Sequence, residues 1–223
     1  MRGNLWKRIL WMVLGNVLLG VGSGCFRIAE LGLDAYSCLI LGLSDLTGVQ
    51  FGTTMLIINS MLLVVMLFLD IRQIGAGTIV NLIVVGYVSD GTVWLVREGI
   101  GYRPEGFTQS LFLVLGLVLI ALGIALYTTP ELGTSPYDNL ANIIVGRSKG
   151  RIKYHYARLI GDATSLVGGI TVALIAGQSV FHVAGIGTVC SAVLTGFLVS
   201  YAKKYVAIPL ILGRKKDGKK RAD

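Results

Sequence analysis

The sequence predicts an all-α polytopic membrane protein, built as two inverted three-span repeats with a short re-entrant half-helix in each. Three observations lead there. The first is composition: apolar residues make up 54% of the chain and charged residues only 14%, against about 25% in an average soluble domain. Mean hydropathy is +0.74. So few charges cannot cover the surface of a soluble protein of this size, and lipid becomes the solvent for most of the chain. The second is length: six apolar runs reach the roughly 20 helical residues that a bilayer core demands. The third is internal repetition. Residues 14–39 and 115–140 align without a gap, with ten identities in 26 positions, among them Glu30, Leu31, Gly32 and Tyr36 against Glu131, Leu132, Gly133 and Tyr137.

The first span runs from Trp6 to Phe26. Its apolar stretch lacks a small-x-small cleavage site, so it reads as a signal anchor. Next comes Asp34–Leu46, too short to cross and opened by a residue of N-cap type. Thr53–Leu69 is the second span, Ile74–Val96 the third, carrying Asp90, and Ser110–Thr129 the fourth. The second short segment, Ser135–Val145, opens with Ser135 and places Pro136 where a first-turn proline is tolerated. Tyr156–Ala176, carrying Asp162, and Val180–Ala202 complete the six. Gly75-Ala76-Gly77-Thr78 is echoed by Gly185-Ile186-Gly187-Thr188, so the repetition extends through both copies. The organisation is therefore repeat 1 over residues 1–97, an external linker over 98–109, repeat 2 over 110–206 and a basic cytoplasmic tail over 207–223. An odd number of spans per copy inverts the second copy in the membrane, an architecture used by transporters.

Charge placement sets the orientation. With six spans and the N-terminus in the cytoplasm, every Lys and Arg except Arg27, Arg97 and Arg103 lies inside, in accord with the positive-inside rule. Eight spans, with both half-helices crossing, satisfy that rule equally well; segment length favours six. The basic loop Arg147–Lys153 and the tail from Arg214 suit the anionic lipids of a cytoplasmic leaflet. Nucleic acid is not an expected partner, because no folded basic module accompanies the tail.

Candidate site residues follow from the breaks. A helix start leaves unpaired N–H groups and partial positive charge. In lipid such a start survives only inside protein or beside a water-filled cavity. Ser135, Tyr137, Asp138 and Asn139, with Asp34, Tyr36 and Ser37, therefore form the expected substrate-binding set. A purely structural role competes with it: Asp34 and Ser135 as caps and the tyrosines as interface anchors. Asp90, Arg158 and Asp162 are the ionisable residues available for coupling, since an acid near the bilayer centre costs on the order of 2.5–3.5 kcal/mol. Asp162 follows Arg158 by four residues, on one helix face. Gly15 and Gly22, and likewise Gly116 and Gly123, read as helix-packing positions.

The segment Leu132-Gly133-Thr134-Ser135-Pro136-Tyr137-Asp138 resembles the Leu-Gly-x-x-Pro-Trp-Asp motif of the YczE/YitT group of bacterial integral membrane proteins, nearer to YczE. Gly185-Ile186-Gly187-Thr188 and Arg158 extend the resemblance, which covers roughly residues 5–208. The first copy departs from the motif, with Ala35 in place of proline and Ser37 in place of the acid. The resemblance implies a multi-pass protein of the bacterial plasma membrane and brings no substrate with it.

No catalytic constellation, metal site or cofactor is expected. The two histidines are isolated, the three cysteines are scattered, and Gly-x-Gly-Thr follows no strand and lacks the lysine of a phosphate loop. The expected function is transport or export of a small anionic or zwitterionic molecule held between the two half-helix N-termini. A membrane regulator and a lipid-acting enzyme are the alternatives, and homo-oligomerisation stays open.

Overall fold

Lipid offers a backbone no hydrogen-bond partners, so this chain must satisfy its own polar groups wherever a helix stops. The computed structural model describes residues 5–69, 71–148, 151–152 and 154–212; the tail from Arg214 and residues Lys149 and Lys153 of the basic loop lie outside the described residues. The chain forms α1 (Leu5–Ala29), α2 (Ala35–Thr47), α3 (Phe51–Leu69), α4 (Ala76–Trp94), α5 (Phe107–Thr128), α6 (Pro136–Arg147), α7 (Tyr154–Ile175), α8 (Val180–Val183), α9 (Ile186–Ala202) and α10 (Ile208–Ile211). Six stretches are long and apolar enough to cross a membrane, the last running from Val180 to Ile211, and α2 is a shorter apolar helix. The protein is a multi-pass membrane protein, and its exposed apolar side chains face lipid.

Glycine decides how the two repeats meet. On α1, Gly15 lies against Gly123 of α5, and Gly22 lies against Gly116. As numbers rise along one helix they fall along the other, so α1 and α5 are antiparallel. These are corresponding helices, related by an offset of 101 residues. Their antiparallel pairing makes the two copies inverted. A Cβ on Gly15 would stand 2.5 Å from the Tyr127 backbone nitrogen, and one on Gly22 would stand 2.8 Å from that of Ile120. Small residues let the two backbones approach this closely.

α2 belongs in sequence to repeat 1 but packs mainly on a helix of repeat 2, while α6 packs both on α7 of its own repeat and on α3 of repeat 1. Gly42 of α2 lies against Gly169 and Ala173 of α7, while Gly169 in turn meets Cys38 and Leu39. α2 therefore runs beside α7 in the same direction. Its first turn is level with the middle of α3, where Tyr36 bonds Asn59. The chain leaves α1, turns back into the membrane and climbs out again as α2; α6 contacts α3 in the corresponding exchange.

The turns that permit this re-entry are alike in both copies. Glu30 and Glu131 have φ of 54° and 55°, and Gly32 and Gly133 have φ of 96° and 118°. Each turn docks on the Gly-x-Gly-Thr segment of the opposite repeat. The Gly187 N–H donates to the Leu31 carbonyl at 2.7 Å, and the Gly77 N–H donates to the Leu132 carbonyl at 2.8 Å. Leu33 N–H reaches the Val183 carbonyl and Thr134 N–H the Gln73 carbonyl. Thr78 and Thr188 each accept from the backbone N–H that opens their own helix, at Gly75 and Gly185. The Gly-x-Gly-Thr motif is thus a clamp between repeats.

This clamp also corrects the sixth span. The continuous helix expected over Val180–Ala202 is interrupted at Ala184 and Gly185, between α8 and α9. The backbone at Gly185 is extended, which frees the Gly187 N–H for the Leu31 carbonyl, and a Cβ on Gly185 would stand 2.6 Å from that carbonyl.

Two predictions follow from the fold. A Cβ on Gly75 would collide with the Leu132 carbonyl, whereas Gly196 has open space around it. Gly75→Ala is therefore expected to destabilise by about 1–3 kcal/mol, against at most about 0.5 kcal/mol for Gly196→Ala, measured by thermal unfolding in detergent. Secondly, Tyr102 and Ser148 should lie on opposite membrane faces. In a background lacking Cys25, Cys38 and Cys190, an impermeant thiol reagent should label only one of Tyr102→Cys and Ser148→Cys until the cells are opened. Equal labelling of both in intact cells contradicts the inverted arrangement.

Candidate functional site

The two half-helix starts meet at a stacked pair of tyrosines. Tyr36 and Tyr137 occupy corresponding positions, and their ring centroids lie 4.1 Å apart with an interplanar angle of 19°. The capping chemistry explains how each ring is presented. Asp34 caps α2 by accepting from the Ser37 N–H, and Ser135 caps α6 by accepting from the Asp138 N–H. Each tyrosine is then the second residue of its half-helix, aimed along the local two-fold. The space between the two N-termini is filled by these rings.

Both hydroxyls are spoken for within their own repeat. Tyr36 donates to Asn59 Oδ1 at 2.7 Å, and Tyr137 donates to Asp162 Oδ1 at 2.7 Å. Ser165 donates to the Tyr137 hydroxyl at 3.2 Å. Around this frame the symmetry ends. Repeat 2 carries an ionic network in which Arg158 Nη1 pairs with Asp138 and Nε with Asp162 at 3.3 Å. Tyr127, fully buried, donates to the second oxygen of Asp138. The Arg158 guanidinium also lies 5.1 Å from the centre of the Tyr137 ring, a cation–π distance. Repeat 1 has Ser37 where repeat 2 has Asp138.

The electrostatics follow from these contacts. The Asp138 carboxyl is held between the Arg158 guanidinium and the Tyr127 hydroxyl. Asp34 has no such base in contact among the described residues and accepts from the Ser37 N–H. The acids at the two helix starts thus differ in their partners: Asp138 has a base and Asp34 has a backbone N–H.

The predicted residues divide into four groups. Tyr36, Tyr137, Asp138, Arg158 and Asp162 come together in one network. Asp34, Ser37 and Ser135 serve the caps beside it. Asn139 is fully buried; its Oδ1 accepts from Asn142, and its Nδ2 has no hydrogen-bond partner among the described residues. Asp90 stands apart: it binds Arg27 at 2.6 Å and accepts from the Gly52 N–H at 2.7 Å, in a separate cluster. Sequence reasoning missed Arg27, Tyr127 and Ser165 as partners, whereas the polar Asn59 of an apolar span reads as an interhelical hydrogen-bonding residue and serves as one. A charge-balance signal existed for Arg27, since a membrane acid such as Asp90 requires a base. Nothing in the sequence marks Tyr127.

Comparison with known proteins adds a family. Residues 6–204 match the model described as "Family of unknown function (DUF6198)". The chain belongs to DUF6198. This DUF6198 chain is 26% identical over 204 residues to the uncharacterized protein YyaS of Bacillus subtilis, covering 92% of this chain and 94% of that protein. It is 27% identical over 135 residues to an uncharacterized protein of Haemophilus influenzae, covering 60% of each. No solved structure matches.

The ionic network yields a stability prediction. Arg158→Met strands two carboxylates beside each other. The cost is expected at about 1–3 kcal/mol, below the 3–5 kcal/mol of a fully buried pair, because the side chains are about a third exposed. Adding Asp138→Asn and Asp162→Asn should recover most of it in thermal unfolding. A triple variant no more stable than Arg158→Met would show that charge is not the cause.

Proposed function

We propose that this protein is a small secondary transporter or exporter of an anionic or zwitterionic solute. The observation that carries the reading is the meeting of two re-entrant helix N-termini at one tyrosine pair, flanked by the Arg158–Asp138–Asp162 network. Broken helices whose N-termini point at a mid-membrane site are the recurring substrate-binding device of inverted-repeat transporters. Intramembrane charges that pair with one another are a second mark of solute and proton pathways.

In this reading the stacked rings close the path at its centre. Rocking of one repeat against the other about the α1–α5 glycine contact parts them, and the freed N-terminal dipoles then receive the solute's negative group. Asp138 and Asp162 compete for Arg158, so protonation of either redistributes the pairing and couples a proton or cation to the movement. The protein sits in the bacterial plasma membrane with both termini in the cytoplasm and Tyr102 outside, as the Lys and Arg distribution indicates. The basic tail contacts anionic lipid. The YczE-like motif supports the same placement, and the reading calls for no catalytic step and no cofactor.

The test uses proteoliposomes containing a pH indicator, challenged with amino acids and short-chain carboxylates under imposed proton or sodium gradients. Wild-type protein should give a solute-dependent flux. Asp138→Asn should lower that flux by about tenfold or more, equivalent to about 1.4 kcal/mol, while eluting like wild type from size exclusion. Wild-type flux in Asp138→Asn removes this network from the pathway, and absence of any gradient-driven flux removes the transport reading.

A further inference from the structure

Away from the tyrosine pair, charged side chains from four parts of the fold converge on a second place. Arg27 and Glu30 at the end of α1, Asp45 of α2, Arg97 beyond α4 and His182 of α8 line a cavity of about 200 Å³. This is smaller than the roughly 300–1,000 Å³ of drug-sized pockets, so its ligand is small. The turn at Gly32 and Leu33 also lines it, directly before the Asp34 cap of α2.

The two arginines are only partly committed. Arg27 uses Nη1 for Asp90 and Ser89 and lies 4.2 Å from the centre of the Phe51 ring. Arg97 uses Nη2 for Glu30 and the Arg27 carbonyl. Among the described residues, Nε and the other terminal nitrogen of each make no hydrogen bond. These are donors in the planar arrangement that matches a carboxylate. Opposite them, Asp45 Oδ2 is buried without an aligned hydrogen bond, although His182 Nε2 lies 3.2 Å away. His182 Nε2 can donate to it only when that nitrogen carries a proton, and otherwise this acceptor is open to a ligand's donor. Asp90 and Glu30 already offset the two arginines, so no positive surplus awaits a simple anion. A simple cation would leave the guanidinium donors unused. Phe26, Leu33, Leu41 and Val93 supply an apolar wall.

We infer that this vestibule binds a small aliphatic α-amino acid, its carboxylate on Arg27 and Arg97, its ammonium on Asp45 and its side chain on the apolar wall. The assignment deepens the transport reading and rests on it for its biological role, as the subsite that selects the solute before it reaches the tyrosine pair.

The test is equilibrium calorimetry on the full chain in nanodiscs with three probes: L-leucine, 4-methylpentanoate, which lacks the ammonium, and 3-methylbutylamine, which lacks the carboxylate. Leucine should bind saturably, and each singly charged analogue about tenfold or more weakly. Asp45→Asn should erase the advantage of leucine over 4-methylpentanoate. Leu41→Trp, which fills the cavity without changing charge, should abolish leucine binding, and it keeps the test decisive if Asp45→Asn fails to fold. The inference is overturned by absent leucine binding, by an analogue that binds as tightly, or by wild-type affinity in Leu41→Trp. Leucine binding without flux in the proteoliposomes upholds the site and removes the transport role; flux without leucine binding removes the site alone.

Discussion

Backbone groups released at two helix breaks inside a membrane are the constraint on which this structure depends. A chain that turns back at Leu31 and Leu132 exposes carbonyls that lipid cannot satisfy. Here each is answered by the first N–H groups of a helix in the opposite repeat, at Gly187 and Gly77. The orphan acceptor of one break thus meets the orphan donors of a helix start, so two deficits cancel in one contact. The exchange is reciprocal, and neither repeat can satisfy its own turn alone. That mutual dependence goes with the pairing of α1 with α5, the packing of α2 on α7 and the contact of α6 with α3.

Close approach is the condition for this exchange, and glycine supplies it twice over. Between α1 and α5, glycines allow the backbones themselves to touch. At the clamp, Gly75, Gly185 and Gly187 lie against carbonyls of the opposing turn, while Gly32 and Gly133 adopt positive φ that a side chain would strain. Packing and backbone chemistry are therefore one requirement, and relaxing either would loosen the other.

Within this symmetric frame the polar groups are not symmetric. The tyrosine pair, the caps and the clamp obey the two-fold, but Arg158, Asp138 and Tyr127 occur only in repeat 2, and Arg27, Asp90 and Arg97 only in repeat 1. The two ionic clusters are separate. A symmetric scaffold gives two related arrangements of nearly equal packing energy, and asymmetric charge gives a ligand or proton the means to favour one of them. The transport reading draws its mechanism from that combination.

Much of this was legible in the sequence. Low charge and long apolar runs determined a membrane protein, because the bilayer fixes span length and solvent for every residue. The recurrence of Glu-Leu-Gly and Tyr determined that the breaks are paired, and cap chemistry at Asp34 and Ser135 marked where the half-helices begin. What only the tertiary structure decided is which groups meet. Tyr36 and Tyr137 are 101 positions apart, Arg27 and Asp90 are 63 apart, and the Gly77–Leu132 bond joins different repeats. Local sequence carries propensity and periodicity, whereas a contact between distant residues depends on how whole helices cross. The break in the last span shows the difference: Val180–Ala202 has the apolarity of one continuous helix, yet it is interrupted at Gly185, where the Leu31 carbonyl of the other repeat docks.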